Sequence, residues 1–249
     1  MLRKRYPLIL LLVGVLMYNP LYAEEKIRPI KLAAPTLHKL AHVDEKGALA
    51  GAVLAVIATI EQATTQRVDG SVLPFPRIIA MLKAGEIDLG IFIENPERDK
   101  IAHRLQRIYQ TNFVLVRPKN SSIKGIDDLA GKTVGISRVG VSKELTGKIS
   151  KSNILQFSSH RPLMSSLLVG KIDAFFTPDF RFVELIEEGT ITYDDFDVSL
   201  FAGDRYLALY AAPRFKAEQP EVFQAIQNIE ELKLENFGSA ILKEHYSFK

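Results

Sequence analysis

Apolar and polar positions along this chain form blocks that predict helices and strands in turn. Apolar residues recur at helical spacing over 76–84 and 162–169, and each segment is followed by a glycine and a short apolar run, 88–93 and 173–176. A glycine after the last periodic residue tolerates a positive φ angle and closes a helix. The pattern therefore predicts two helix–glycine–strand units.

Both units contain a seven-residue motif, L-x-x-G-x-I-D, at 82–88 and again at 167–173. Extended segments at 30–34 and 132–137 precede them, each followed by another helical pattern. Strand–helix–strand units of this kind pack as parallel sheets with right-handed crossovers. Two copies favour two α/β lobes, and the alternative is one continuous α/β sheet with a chance echo of seven residues.

The segments that connect and follow the two units complete this organisation. A polar, turn-rich stretch over 118–125 and a short helical turn at 126–131 separate the units. Downstream, the patterns predict a helix near 180–188, extended segments at 198–201 and 206–212, a long helix at 219–234 and another at 237–246. If the chain from 206 onward packs on the first lobe, two crossings join the lobes and form a hinge.

The first 23 residues have the composition of a secretory signal peptide. Three basic residues precede an apolar run over 8–17, and the small residue Ala23 ends the segment. The run is shorter than the roughly 20 residues that span a bilayer, which favours cleavage near Ala23 over a membrane anchor. The absence of cysteine excludes disulfides, thiol chemistry and lipid attachment at a cysteine. We expect a protein free in the periplasm.

The net charge argues against polyanionic partners. The chain carries 32 basic and 29 acidic residues, and the predicted signal peptide holds three of the basic ones and no acidic one. Residues 24–249 are therefore formally neutral, with 29 charges of each sign. Such a protein has no overall field to attract nucleic acid or an anionic membrane.

Several ordered pieces of the chain resemble bacterial extracellular solute-binding proteins of family 3, the type that serves polar amino-acid uptake. The resemblance extends from about Ile30 to Tyr246 and rests on the segments 44–51, 82–88, 96–98, 113–117, 126–135 and 169–174. It implies the type 2 periplasmic binding protein fold, two α/β sheets joined by two hinge strands. It also implies a small-molecule ligand, an ABC transporter permease as partner, and no cofactor. We expect a monomer that is not an enzyme.

The resulting domain assignment has four parts. Residues 1–23 are the signal peptide, 24–111 the first part of lobe 1, 112–203 lobe 2, and 204–249 a return segment of lobe 1.

The resemblance implies ligand-binding residues on both sides of the cleft. Arg98 matches an arginine that forks onto the ligand carboxylate, and the alternative is a solvated surface charge. Phe75 falls where relatives place an apolar or aromatic wall against the ligand, and core packing alone would also explain it. Ser137, Gly140 and Ser142 correspond to a cradle at a helix N-terminus, where a plain helix cap at Ser142 explains the pattern equally well.

Positions that bind an α-ammonium in relatives depart from the family pattern. Ala34 and Leu37 stand where an acid and an aromatic residue are expected, and Phe92 with its two following residues replaces serines of the first lobe. Asp179, one residue out of register with a second-lobe acid, could compensate. A buried ammonium without an acid costs several kcal/mol. The sequence therefore predicts an apolar-walled pocket for a small carboxylate or a modified amino acid.

Two other functional classes stay open. Some relatives on this fold are dehydratases of cyclic carboxylates, and Glu94 or Asp179 could supply the acid or base. A sensory protein read by a receptor is the other class. His38 and His42 are four residues apart but fall in a predicted loop without further ligands, so no metal site is predicted. Arg77 resembles an arginine of unassigned role.

Overall fold

The structure is a computed structural model that describes residues 28–37, 39–137, 143–189, 191–234 and 238–246. The strands are β1 (Ile30–Pro35), β2 (His42–Val43), β3 (Leu49–Ala50), β4 (Val68–Leu73), β5 (Leu89–Ile93), β6 (His103–Pro118), β7 (Thr133–Ser137), β8 (Asn153–Phe157), β9 (Ala174–Pro178) and β10 (Phe196–Ala211). The helices are α1 (Val53–Thr64), α2 (Phe75–Ala84), α3 (Pro96–Asp99), α4 (Lys143–Gly147), α5 (His160–Leu168), α6 (Asp179–Glu187), α7 (Pro213–Glu218), α8 (Pro220–Gln227) and α9 (Ser239–His245). Short 3-10 turns lie at Ile126–Leu129 and Tyr193–Asp195.

Two long antiparallel strands organise the sheet. Hydrogen bonds connect the strands in the order β4-β1-β5-β10-β6-β9-β7-β8, and β2 with β3 forms a separate hairpin. β5 pairs with β10 over 207–211, whereas β9 pairs with the other end of β6, over 113–116. Each end of the β6–β10 pair therefore carries its own parallel strands. This is the predicted two-lobed fold, in which the hinge strands β6 and β10 join the parallel strands of the two ends into one eight-stranded sheet.

The hinge strands are irregular where they pass between the two ends. Their register shifts between Leu200 and Ala202 and again between Ala202 and Arg205. Such bulges bend a strand and increase its twist. The sequence predicted separate extended segments at 198–201 and 206–212. The structure joins them into β10 because Ala202 and Arg205 stay paired with β6 between the shifts.

Both copies of the motif close their helices as predicted. Gly85 follows α2 with a φ of 70°, and its N–H donates to the carbonyls of Met81 and Leu82. Gly170 lies two residues after α5 with a φ of 68°. These left-handed angles are the conformation that a glycine adopts without strain.

The aspartate of each motif fastens a neighbouring strand. Asp88 donates its N–H to the Lys31 carbonyl of β1 at 3.0 Å, and its carboxylate accepts the Lys31 N–H at 2.9 Å. Asp173 makes the same pair of bonds with Thr133 of β7, at 2.8 and 2.7 Å. Each motif aspartate therefore joins the start of its own strand to the neighbouring parallel strand with its backbone and its side chain together.

The C-terminal region differs from the sequence-based prediction. The predicted helix at 219–234 ends as α8 at Gln227, since the following chain turns toward β6, where the Leu234 N–H donates to the Ile108 carbonyl at 2.7 Å. In α9, Leu242 is buried in a cluster with Phe182 of α6 and Phe196 of β10. We propose that α9 packs with lobe 2 rather than with the return segment of lobe 1. The boundaries at 111/112 and 203/204 stay predictions.

None of the helices within the described ranges has the length and apolar character needed to cross a membrane.

Candidate functional site

A cavity of about 60 Å³ lies between the two ends of the hinge strands. Its first-lobe wall consists of Pro35, Leu37, Phe75, Phe92, Ile93 and Arg98, and its second-lobe wall of His160, Pro178, Phe180 and Arg181, with Leu207 of β10 between them. Most of this surface is apolar, and its charged side chains are two arginines. Strands and helices of both lobes thus converge on one small cleft, at the carboxyl ends of β1, β5 and β9.

The two walls use equivalent positions of the repeated unit. The motif copies lie 85 residues apart, from 82 to 167. At that separation Phe75, which begins α2, corresponds to His160, which begins α5. Ile93 at the end of β5 likewise corresponds to Pro178 at the end of β9, and all four residues line the cavity.

Arg98 is held in the first-lobe wall by its local structure. The side chain of Asn95 accepts the Arg98 N–H at 2.8 Å and so caps the short helix α3. The guanidinium lies over the ring of Phe75, 4.5 Å from its centroid, and 5.5 Å from the centroid of Phe92. One of its N–H groups donates to the carbonyl of Ile93. Cation–π contacts and one carbonyl therefore orient a side chain that is only 7% exposed.

The charge of Arg98 lacks a carboxylate partner in the described part of the chain. No acidic side chain there lies within 4.0 Å of its guanidinium nitrogens. Burial lowers the pKa of Arg98 to about 10, and Tyr210 and Glu97 oppose only part of that effect. The guanidinium is still protonated at neutral pH. A buried cation of this kind gains most from an anion brought in by a ligand, and its planar fork suits a carboxylate.

The second-lobe wall contributes an arginine that reaches across the cleft. Arg181 donates to the carboxylate of Glu184 at 2.5 Å and to the carbonyl of Thr36, which follows β1, at 2.6 Å. Burial, reinforced by the charge of Arg181, lowers the pKa of His160 to about 3. His160 is therefore a neutral imidazole at physiological pH.

Asp179 and Glu94, equivalent in the two copies, are both bound by donors. Asp179 accepts hydrogen bonds from Thr111 at 2.7 Å and from the backbone N–H of Asn112 at 2.9 Å, which ties α6 to β6. Glu94 accepts from Arg104 and Arg107. Neither belongs to the cavity wall. The two carboxylates that could have supplied an acid or base are thus engaged elsewhere.

The structure brings together four of the predicted ligand-binding residues: Leu37, Phe75, Phe92 and Arg98. Ser137 is buried at the end of β7 and does not line the cavity. Gly140, Ser142 and His38 lie outside the described residues, as does the predicted signal peptide. In the described ranges, His42 belongs to β2 and no group of three or more metal-ligating side chains occurs.

Sequence reasoning missed the second-lobe wall. The 85-residue separation of the motifs would have identified His160 and Pro178 as partners of Phe75 and Ile93. Arg181 carried no such signal, because its position depends on how α6 is oriented across the cleft.

The chain is similar to known solute-binding proteins. The family model for bacterial extracellular solute-binding proteins, family 3, matches residues 33–245. The probable amino-acid-binding protein YxeM of Bacillus subtilis (strain 168) is 23% identical over 137 residues, 53% of this chain and 52% of that protein. The arginine-binding extracellular protein ArtP of the same organism is 35% identical over 78 residues, 30% of either chain. The matched parts thus span about half the length of YxeM and less of ArtP.

Solved structures share the fold at low sequence identity. An ancestral arginine-binding protein bound to arginine superimposes with a TM-score of 0.67 at 18% identity, over 88% of this chain and 98% of that one. The arginine-, lysine-, histidine-binding protein ArtJ from Geobacillus stearothermophilus gives 0.62 at 17% identity, over 81% and 89%. These neighbours are substrate-binding proteins rather than enzymes.

Proposed function

Because the chain belongs to the bacterial extracellular solute-binding proteins, family 3, we propose that it binds a small carboxylate-bearing solute between its lobes. The solute is a modified amino acid or a small organic acid, and the closed protein delivers it to the permease of an ABC transporter. The protein acts as a periplasmic monomer after removal of residues 1–23.

Arg98 is the observation that supports this proposal. It is a buried, protonated guanidinium on the cavity wall, and no carboxylate of the described residues balances it. Phe75 and Phe92 hold it in place and, with Leu37, supply apolar surface for the rest of the solute. On the opposite side, a cradle from Ser137, Gly140 and Ser142 stays a prediction.

Asp179 is less suited to bind an ammonium than its sequence position indicated. Its carboxylate accepts from Thr111, Asn112 and the backbone N–H of Phe180. These bonds support a role at the hinge strand β6. They also weaken the dehydratase alternative, which needs a carboxylate in contact with the substrate. A sensory protein would use the same cleft, and a receptor would take the place of the permease.

Replacing Arg98 with glutamine tests the anion site. Thermal-shift measurements on a panel of small carboxylates first identify a solute that stabilises the wild type, by about 2.7 kcal/mol at 100 times its Kd. Arg98→Gln should then weaken its binding by roughly 2–5 kcal/mol, a loss of about 30-fold or more. Arg77→Gln, an exposed arginine of α2, is the matched control and should keep wild-type affinity. Full binding by Arg98→Gln would contradict the proposed site.

A further inference from the structure

We propose that the cleft selects against ligands that carry an ammonium or another cationic group, and that Arg181 is the second-lobe residue that sets this preference. The inference deepens the proposed function and rests on it: Arg98 attracts a carboxylate, and Arg181 determines what else the ligand carries. The preferred class is an apolar monocarboxylate, or an amino acid whose amine is blocked.

The charges that face the cavity support this selection. Among the described residues that line it, Arg98 and Arg181 are cations and none is acidic. His160 adds no charge, because burial keeps its imidazole neutral. An ammonium enclosed here would lose its water without gaining a carboxylate from the wall, in a space that two arginines line.

Arg181 is positioned by bonds on both sides of the cleft. Its pairing with Glu184 and its bond to the Thr36 carbonyl fix the guanidinium where the lobes meet. Glu184 itself does not line the cavity, so the cationic side of the pair faces the ligand space. Apolar surface from Phe180 and Leu37 completes the enclosure and excludes water that would screen this charge.

The Thr36 bond gives Arg181 a second property. Because Thr36 follows β1 in lobe 1 and Arg181 belongs to α6 in lobe 2, the bond forms only when the lobes approach each other. The positive charge therefore enters the ligand space as the cleft closes, which is the stage at which a bound ammonium loses its solvent. The selection should therefore appear as a lower equilibrium affinity for ligands with an ammonium than for the same ligands without it.

Two ligands with the same carbon skeleton isolate the effect of the ammonium. Isothermal titration of the full chain with 4-methylpentanoate and with L-leucine compares a carboxylate with and without the amine, and L-arginine adds a cationic side chain. The wild type should bind 4-methylpentanoate at least about tenfold more tightly than L-leucine and should not bind L-arginine. Arg181→Gln should reduce the ratio of the first two affinities by about tenfold.

Two control variants separate charge from structure. Arg181→Lys keeps the positive charge and should keep the ratio, even if closure weakens both affinities. Arg161→Gln removes an arginine that is 77% exposed and pairs with Glu188 of lobe 2, outside this cavity, and should bind both ligands like the wild type.

The outcomes distinguish this inference from the function on which it rests. A wild type that binds L-leucine or L-arginine as tightly as 4-methylpentanoate overturns the selection against cations and leaves the carboxylate site intact. An unchanged ratio in Arg181→Gln shows that Arg181 does not set the preference. If the wild type binds no carboxylate of the thermal-shift panel, the proposed function fails and the inference fails with it.

Discussion

The two copies of L-x-x-G-x-I-D form the same backbone unit in surroundings that differ sharply. In the first, Asp88 is fully buried and accepts from both terminal nitrogens of Arg28, at 2.6 and 2.9 Å, with Arg214 3.8 Å away. In the second, Asp173 is exposed, and its carboxylate bonds to the backbone N–H of Thr133. The strand-fastening bond is thus common to both copies, while the ion cluster belongs to one.

This difference shows how a repeated unit can specialise. Asp88 binds Arg28 of the segment before β1 and lies near Arg214 of α7. Because α7 follows β10, this ion cluster holds the returning chain against lobe 1. At the cleft the same copies differ again, with an aromatic ring at Phe75 and an imidazole at His160. Lobe 1 therefore supplies a largely apolar wall that holds Arg98, and lobe 2 supplies the more polar wall.

Substituting Asp88, the buried aspartate of the first motif, should give the largest loss of stability at neutral pH. Asp88→Asn preserves shape but removes the charge that balances Arg28 in a buried position. Breaking a buried pair costs 3–5 kcal/mol, and because Arg28 is 38% exposed we expect a loss near the lower end, about 3 kcal/mol. Urea unfolding measures this loss as a change in the free energy of unfolding.

Asp173→Asn is the matched control for that measurement. Asparagine keeps an oxygen that can accept the Thr133 N–H, and the site is exposed, so the loss should stay below about 1 kcal/mol. Equal losses in the two variants would show that the ion cluster adds nothing beyond the strand-fastening bond.

Much of the fold was predictable because it depends on local patterns. The motif glycines and the apolar runs after them identified α2, α5, β5 and β9, since helix closure and strand burial are encoded within a few residues. The joining of 198–201 with 206–212 into β10 was not, because pairing with β6 carries the strand across the bulges. The end of α8 at Gln227 also depends on a distant contact, between Leu234 and Ile108.

The candidate site was predictable in one lobe only. Arg98, Phe75 and Phe92 were found from the resemblance, and they lie together on the cavity wall. Arg181 was missed because its pair with Glu184 is an ordinary i,i+3 contact within α6, and its bond to the Thr36 carbonyl joins two lobes that are distant in sequence.

An effect that appears only at acidic pH should come from the wall position that differs between the copies. The pKa of His160 is lowered to about 3, against about 6.5 in an unfolded chain. Between these values the unfolded chain binds a proton that the folded chain does not, so stability falls as the pH drops from 6.5 toward 3, by up to about 1.4 kcal/mol per pH unit. His160→Phe, which copies the residue of the first unit, should remove this slope. Urea unfolding from pH 4 to pH 7 gives the free energy of unfolding at each pH. If that free energy depends on pH equally in the variant and the wild type, His160 does not have the lowered pKa.

The smallest effect should come from the ion pair between the lobes. Lys39, after β1, and Glu187, at the end of α6, lie 2.6 Å apart with 33% and 43% of their side chains exposed. An exposed pair contributes about 0.2–1 kcal/mol and weakens with salt. Because this pair needs both lobes in contact, its loss should weaken ligand affinity about twofold rather than destabilise either lobe.

A double-mutant cycle with Lys39→Ala and Glu187→Ala, read as the Kd of a bound carboxylate, should give a coupling of about 0.5 kcal/mol that disappears in about 1 M salt. Strictly additive Kd changes at low salt would mean that the pair does not assist closure, and the Arg181–Thr36 bond would still connect α6 to the chain after β1.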